Sequence, residues 1–243
     1  MTSLGLLASA RPITIGNVPT IKLLGLTVNK YDLVSSLVAA VIVIGMGLGV
    51  RARLTADVPG RMQLVFEALV NAVSSQVEST IGPRGRRIVP LAMTLFLYIL
   101  ICNWLEMIPS GHNPQYLPAP TGDVNLTYAM ALTVIILVHA TWIRTKGLGN
   151  YIGHYFRPYK VLFPINVIEE IAKPLTLALR LFGNIFSGGI MVLLIWALLP
   201  WYIVPIGDLV WKAFDGLFVA PVQAFIFSLL TILYFETAMA GNH

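Results

Sequence analysis

Residues 164–200 read PINVIEEIAKPLTLALRLFGNIFSGGIMVLLIWALLP. The second half of this stretch opens a run, residues 181–207, without a single Asp, Glu, Lys or Arg; about 20 apolar residues of helix suffice to cross a bilayer core of about 30 Å. The first half carries polar side chains in a regular pattern. At about 100° per residue, Asn166, Glu169, Lys173, Thr176, Arg180, Asn184 and Ser187 all fall within roughly 40° of the direction of Arg180, and only Glu170 leaves the row. The row is about 32 Å long at 1.5 Å per residue, matching the hydrocarbon thickness. The segment is therefore read as a membrane helix with one polar stripe. At about 35 residues it exceeds what a perpendicular crossing requires, so it should be tilted or bent, with Pro174 and Gly183 as flex points.

Four more charge-free windows flank it, at 33–50, 88–105, 124–143 and 216–235. The 243-residue chain is 57% hydrophobic and 11% charged, where an ordinary soluble domain has about 25% charged residues. Backbone amides in lipid must be paired within their own segment. Together these facts predict an all-α polytopic membrane protein, a single membrane domain over 1–243. Five membrane helices are expected at 33–50, 88–108, 124–143, 165–199 and 206–238, the last two long and tilted. Residues 1–32 form an outer amino-terminal segment. Residues 61–80 mix Val, Leu and Phe with Asn, Gln, Ser and Glu at helical spacing; too polar to span, they read as an amphipathic helix lying along the interface. The proline-rich stretch 109–120 reads as irregular chain, and the glycines Gly45, Gly47 and Gly49 as a close helix contact.

The chain has 16 Lys+Arg and 11 Asp+Glu. Ten basic residues form three clusters: Arg51, Arg53 and Arg61; Arg84, Arg86 and Arg87; and Arg144, Lys146, Arg157 and Lys160. By the positive-inside rule these helix ends face the cytoplasm, which puts the amino terminus outside and the carboxyl terminus inside. Arg11, Lys22 and Lys30 are the exceptions. Basic residues placed at helix ends report orientation, so no nucleic-acid partner is expected. The stretch 4–10 ends in Ala8, Ser9 and Ala10 but lacks a basic n-region, so no cleaved signal peptide is expected. Cys102 stands alone inside a window as a core residue, excluding an intrachain disulfide.

Arg180 needs explaining, because a guanidinium keeps its charge in a protein. At mid-membrane it must face water or an anion. Glu169 and Glu170 lie about 15 Å or more away along the helix axis, too far for a direct bond unless the helix breaks. Glu106, Asp123, Asp208 and Asp215 belong to outer helix ends. The partner carboxylate then belongs to another protein, and Ser187, Gly188 and Gly189 would let a neighbouring helix come close. In the last membrane segment Lys212 and Gly216 each lie within about 20° of Gln223 on a straight helix. Gln223, at the depth of Arg180, is either an interhelical hydrogen bond or part of the same site. No paired catalytic Asp at one depth, Ser/His dyad or His/Glu metal cluster appears, which ranks an intramembrane hydrolase far below the other readings; neither a metal nor a cofactor is expected.

Residues 173–184, KPLTLALRLFGN, with Ile168, Glu169 and Glu170 before them and QAFIF at 223–227, resemble the signature of subunit a of the F-type ATP synthase membrane sector. The resemblance extends to VPG at 58–60, NW at 103–104, PAPTGDVN at 118–125 and KGLG at 146–149, in the family's order and spacing. It implies a non-catalytic stator for proton flow, packed against a rotating ring of c subunits and joined to b-type peripheral stalk subunits and the rest of the F-type ATP synthase. It also implies residence in a bacterial plasma membrane, in contact with lipid. Under the resemblance Arg180, Asn184 and Gln223 match the family's arginine, asparagine and glutamine.

Two half-channels would then flank Arg180. Many relatives carry a glutamate nine residues after the arginine or a histidine seven before the glutamine; here these positions are Gly189 and Gly216. Asp208 and Asp215 are expected to supply the outer carboxylates instead, with Asp123 and Ser187 as possible relays, unless the two aspartates only hold an ion pair with Lys212. Glu169 and Glu170 either carry the proton inward or solvate the start of the helix, and His139 either shuttles protons or is a buried, hydrogen-bonded side chain. The competing reading is a proton-coupled secondary transporter with Arg180 binding an anionic substrate.

Overall fold

The computed structural model describes residues 20–23, 26–52, 60–107, 119–155 and 163–239. The segment 4–10, the stretch 109–118, Val58, Arg11, Arg53, Arg157 and Lys160 lie outside the described residues. Two short strands, β1 (Thr20–Leu23) and β2 (Leu26–Asn29), pair antiparallel with Thr20 opposite Asn29. They are the only β structure among the described residues and sit just ahead of the first membrane helix, in a fold that is otherwise the expected all-α polytopic membrane protein.

The rest is helical. In chain order come α1 (Lys30–Ala52), α2 (Arg61–Ile81), α3 (Val89–Met107), α4 (Val124–Lys146), α5 (Leu148–Tyr155), α6 (Phe163–Leu198), α7 (Val204–Phe214) and α8 (Ala220–Met239). Among the described residues five helical stretches are long and apolar enough to cross a membrane: Lys30–Ala52, Pro83–Leu105, Val124–Lys146, Phe163–Leu198 and Val204–Met239. The boundaries follow local chemistry. Asp123 caps α4, its carboxylate accepting from the Asn125 backbone N–H at 2.9 Å and so pairing a donor that the first turn leaves free. Gly82 and Gly147 end α2 and α4 at φ of 83° and 78°, a region L side chains avoid. Pro83 and Pro120 open short 3₁₀ turns at Pro83–Ile88 and Pro120–Gly122.

α3, α4 and α8 form the heart of the bundle. Phe227, Ile99, Val134, Leu177 and Leu181 are fully buried there, and Cys102 is buried between α3 and α1. Small polar side chains tie the helices: Ser228 Oγ donates to the Ala92 carbonyl at 3.0 Å, and Ser36 and Tyr98 hydroxyls meet at 2.7 Å. At the basic end, Thr145 and Lys146 of α4 donate to the Ala238 and Thr237 carbonyls of α8 at 3.2 and 3.3 Å. The carboxyl-terminal half of α2 packs Val73, Val77 and Ile81 against Val89, Ala92 and Ile232, while Met62, Leu64 and Val65 at its start stay exposed.

α6 runs unbroken for 36 residues, Pro174 included. At 1.5 Å per residue that is about 54 Å, far more than the bilayer core. It leans on α4 through Leu177, Ala178 and Leu181. Two expectations fail. A Cβ at Gly45, Gly47 or Gly49 would meet nothing within 4 Å, so these glycines make no close helix contact among the described residues. The last membrane segment is not one straight helix either: a π-turn at Asp215–Val219 separates α7 from α8. Its extra residue turns Lys212 away from Gln223 by about 100° relative to a continuous α-helix, which dissolves the expected row of Lys212, Gly216 and Gln223.

Candidate functional site

The stripe on α6 is divided by what faces it. Leu177, Ala178, Leu181 and Gly188 are buried, whereas Glu169, Thr176, Arg180 and Ser187 are exposed together with Ile168, Leu175, Leu179, Phe186 and Ile190. Arg180 has no ion-pair partner among the described residues. Gln223 is buried on α8 and its side-chain amide donates to the backbone carbonyl of Arg180 at 2.9 Å. The bond ties the two helices at the arginine's own residue without engaging the guanidinium, leaving the charge free to face outward from the bundle. Asn184 is one turn further along, and Ser187 Oγ donates to its carbonyl at 2.8 Å.

Toward the basic end the two glutamates part company. Glu169 stays on the exposed face. Glu170 turns toward α4, where Lys173 Nζ lies 2.7 Å from Oε2 and His139 Nε2 lies 3.6 Å from Oε1. Tyr151 of α5 packs edge-on to His139 with ring centroids 5.7 Å apart, and Lys173 lies 5.9 Å from the Tyr234 ring centroid. His139 Nδ1 is buried without a hydrogen-bond partner. A charge cluster held partly out of water is favourable only when its members satisfy one another. Glu170 does this for Lys173, which is why it can stand outside the polar row of α6.

At the opposite end the polar residues sit on α7 and the π-turn. Asp208 Oδ2 is 3.2 Å from Lys212 Nζ, while Asp208 Oδ1 is buried with no partner. The Asp215 carboxylate has no hydrogen bond or ion pair among the described residues. With Lys212 it lines a small cleft of about 20 Å³ whose other walls are Met107, Gly188, Val192 and Trp211; about 10–15 Å³ holds one water. Gly188 thus serves the chain's own cleft, and Gly189 beside it is exposed. Asp123 is committed to the α4 cap and does not line this cleft. Nearby, Thr121 donates to Asn103 Oδ1 at 2.8 Å, while Asn103 Nδ2 is buried and unpaired.

Sequence reasoning missed Met107 and named Trp104 only within the NW motif at 103–104, with no role of its own. Met107 Sδ occupies the place that a Cβ at Gly216 would take, so a side chain at that position would need the thioether to leave. Trp104 Nε1 donates to the Gly216 carbonyl at 2.9 Å. The aromatic and thioether residues at the end of α3 carry no periodic signal that separates them from ordinary core.

The fold and this set of polar residues define a multi-pass α-helical membrane protein in which Arg180, an intramembrane cation without an ion-pair partner among the described residues, faces away from the core. Comparison with known proteins makes the class specific. The family model described as ATP synthase A chain matches residues 33–236. The chain is 54% identical over 233 residues to the ATP synthase subunit a of Acidothermus cellulolyticus, covering 95% of this chain and 85% of that one. It is 46% identical over 242 residues to that of Mycobacterium bovis, covering 95% of each, and 37% identical over 233 residues to that of Moorella thermoacetica, covering 96% of this chain and 98% of that one. The chain belongs to the ATP synthase subunit a family, whose members are components of the proton-translocating membrane sector of F-type ATP synthases.

Proposed function

We propose that this protein is the proton-conducting stator of a rotary F-type ATP synthase, providing two offset half-channels that meet a c-ring carboxylate on either side of Arg180. The observation that carries the reading is the exposed, unpaired Arg180 on the uncovered face of α6, with Gln223 bonded behind it. An intramembrane cation is expensive and needs an anion or water, and the ring carboxylate supplies the anion. The transporter reading has no support in the family membership.

The basic helix ends face the cytoplasm of a bacterium in this reading, with the amino terminus outside. A proton enters from outside through the cleft at Asp215, aided by Asp208 and Lys212, and passes Asn184 to the ring carboxylate. After nearly a full turn of the ring it leaves inward past Glu169. Glu170, His139 and Lys173 form the polar wall of that exit, with Glu170 able to receive the proton and His139 to relay it. Arg180 attracts the deprotonated carboxylate and repels a proton crossing straight between the paths. A dry ion pair would lock the rotor, since breaking a buried pair costs several kcal/mol, so the site works hydrated. The drive is about 2.3 kcal/mol per charge for each 100 mV, enough to bias each step of the ring. b-type stalk subunits hold the stator still, and α2 lies along the inner interface. The chain itself performs no bond chemistry.

The deciding experiment is Arg180→Ala in the whole complex, reconstituted in vesicles. Coupled, ATP-driven proton pumping should vanish while the complex still assembles. Pumping retained at the unmodified rate would sink the assignment.

A further inference from the structure

Between α7 and α8 the helix departs from α geometry for one turn, and Pro221 explains how its hydrogen bonds fall. The Ala220 backbone N–H reaches back five residues to the Asp215 carbonyl. The next carbonyl, that of Gly216, would find its donor at the same spacing on residue 221, which is proline and has no N–H. A carbonyl left unpaired at membrane depth is disfavoured, because lipid offers no donor. Trp104 supplies the missing donor from another helix: its indole Nε1 lies 2.9 Å from the Gly216 oxygen. On the same side Met107 fills the space above Gly216. The π-turn is therefore braced on α3 at two points, and Asp215 is its first residue.

We infer that Trp104 is a positioning residue for proton uptake: by capping the Gly216 carbonyl it holds the π-turn that aims Asp215 into the outer cleft. One residue of register corresponds to about 100° of helix rotation. Return of this turn to α geometry would swing Asp215 away from Met107 and Gly188, its cleft neighbours, while Gln223 stayed anchored to Arg180. π-turns within helices recur at functional sites, and here the turn lets one helix face two directions, the carboxylate toward the cleft and the amide toward Arg180. The inference rests on the reading of Asp215 as the outer proton carrier.

The test uses the complete complex in proteoliposomes, stripped of its catalytic head, with proton flux driven by a potassium diffusion potential. Trp104→Phe keeps the ring and loses the donor. It should lower flux roughly three- to tenfold, as expected for one lost hydrogen bond between neutral groups, and shift the midpoint of flux against outer pH. The charged groups at the cleft that set this midpoint are Asp215 and Lys212, with Asp208 paired to Lys212; the α3 and α6 residues that line it are uncharged. In an Asp215→Asn background the added Trp104→Phe change should slow flux no further. Pro221→Ala restores an N–H five residues after Gly216 and should rescue most of the Trp104→Phe loss, also where the single variant assembles poorly. Unchanged flux in Trp104→Phe, full additivity with Asp215→Asn, or no rescue by Pro221→Ala overturns the inference and leaves Asp215 as carrier. Unchanged flux in Asp215→Asn alone overturns the underlying reading instead.

Discussion

The most apolar windows of the two long membrane stretches that meet at Gln223 and Arg180 have nearly the same mean hydropathy, 2.0 within Phe163–Leu198 and 2.1 within Val204–Met239, yet the share of their residues that is buried is 11% and 44%. Apolarity is thus equal, and cover is not. The second stretch spends its side chains on the chain's own core through Ala224, Phe227, Ser228 and Phe235. The first buries only a narrow line, Leu177, Ala178, Leu181 and Gly188, and leaves most of its large apolar side chains exposed. In a membrane both states are compatible with the same composition, because lipid tails are as apolar as leucine. What separates a lipid face from a partner face on α6 is the polar row with Arg180 at its centre.

Substitutions can break this comparison. The largest effect on folding should come from Phe227→Ala, which opens a cavity in the covered stretch and should cost about 3–5 kcal/mol, read as loss of thermal stability of the purified subunit in detergent. Leu179→Ala on the uncovered stretch should change that stability by less than about 0.5 kcal/mol, but weaken retention of the c ring on purification. Equal destabilisation by the two would mean that α6 is covered within the chain after all. Smaller still, Ser228→Ala should cost about 0.6 kcal/mol, the average for an interhelical hydrogen bond in a membrane protein.

The same contrast applies within α6 itself. Glu169→Gln, on the exposed row, should slow inward proton release several-fold with little change in stability. Glu170→Gln removes the partner of Lys173 and should lower stability by about 1–3 kcal/mol, with the smaller effect on flux. The reverse order, measured by pumping and by thermal melting of the same preparations, would make Glu170 the principal exit group. Cysteines offer a last refinement: Leu179→Cys, combined with a cysteine introduced on the facing helix of the neighbouring subunit, should form a disulfide under mild oxidation, and Phe227→Cys with the same partner cysteine should not.

Much of this was legible in the residues. The charge-free windows gave five membrane helices because lipid admits few alternatives. The angular row gave Arg180 its neighbours and excluded Glu170, which indeed turns aside to Lys173 and His139. The outer site was less legible. Asp208 and Asp215 could be named, but a straight-helix projection from Lys212 to Gln223 failed at the π-turn. A glycine and a proline five apart, Gly216 and Pro221, were the available clue, and only the Trp104 indole shows how the orphaned carbonyl is satisfied. Likewise Asp123, a candidate relay on sequence, turned out to cap α4.

The sequence by itself determined that the chain lives in a membrane, how many times it crosses, which ends carry the positive charge and that one arginine is stranded among apolar residues. Those properties follow from transfer free energies and helical periodicity, which act residue by residue along the chain. The tertiary structure decided which of two equally apolar stretches is core and which is left bare, that Gln223 binds the arginine's carbonyl rather than its guanidinium, and that the Asp215 helix turns by one residue of register. Those depend on donors and side-chain volumes brought together from helices distant in the chain, Trp104 with Gly216 and Gln223 with Arg180, and no periodicity within a single segment encodes them.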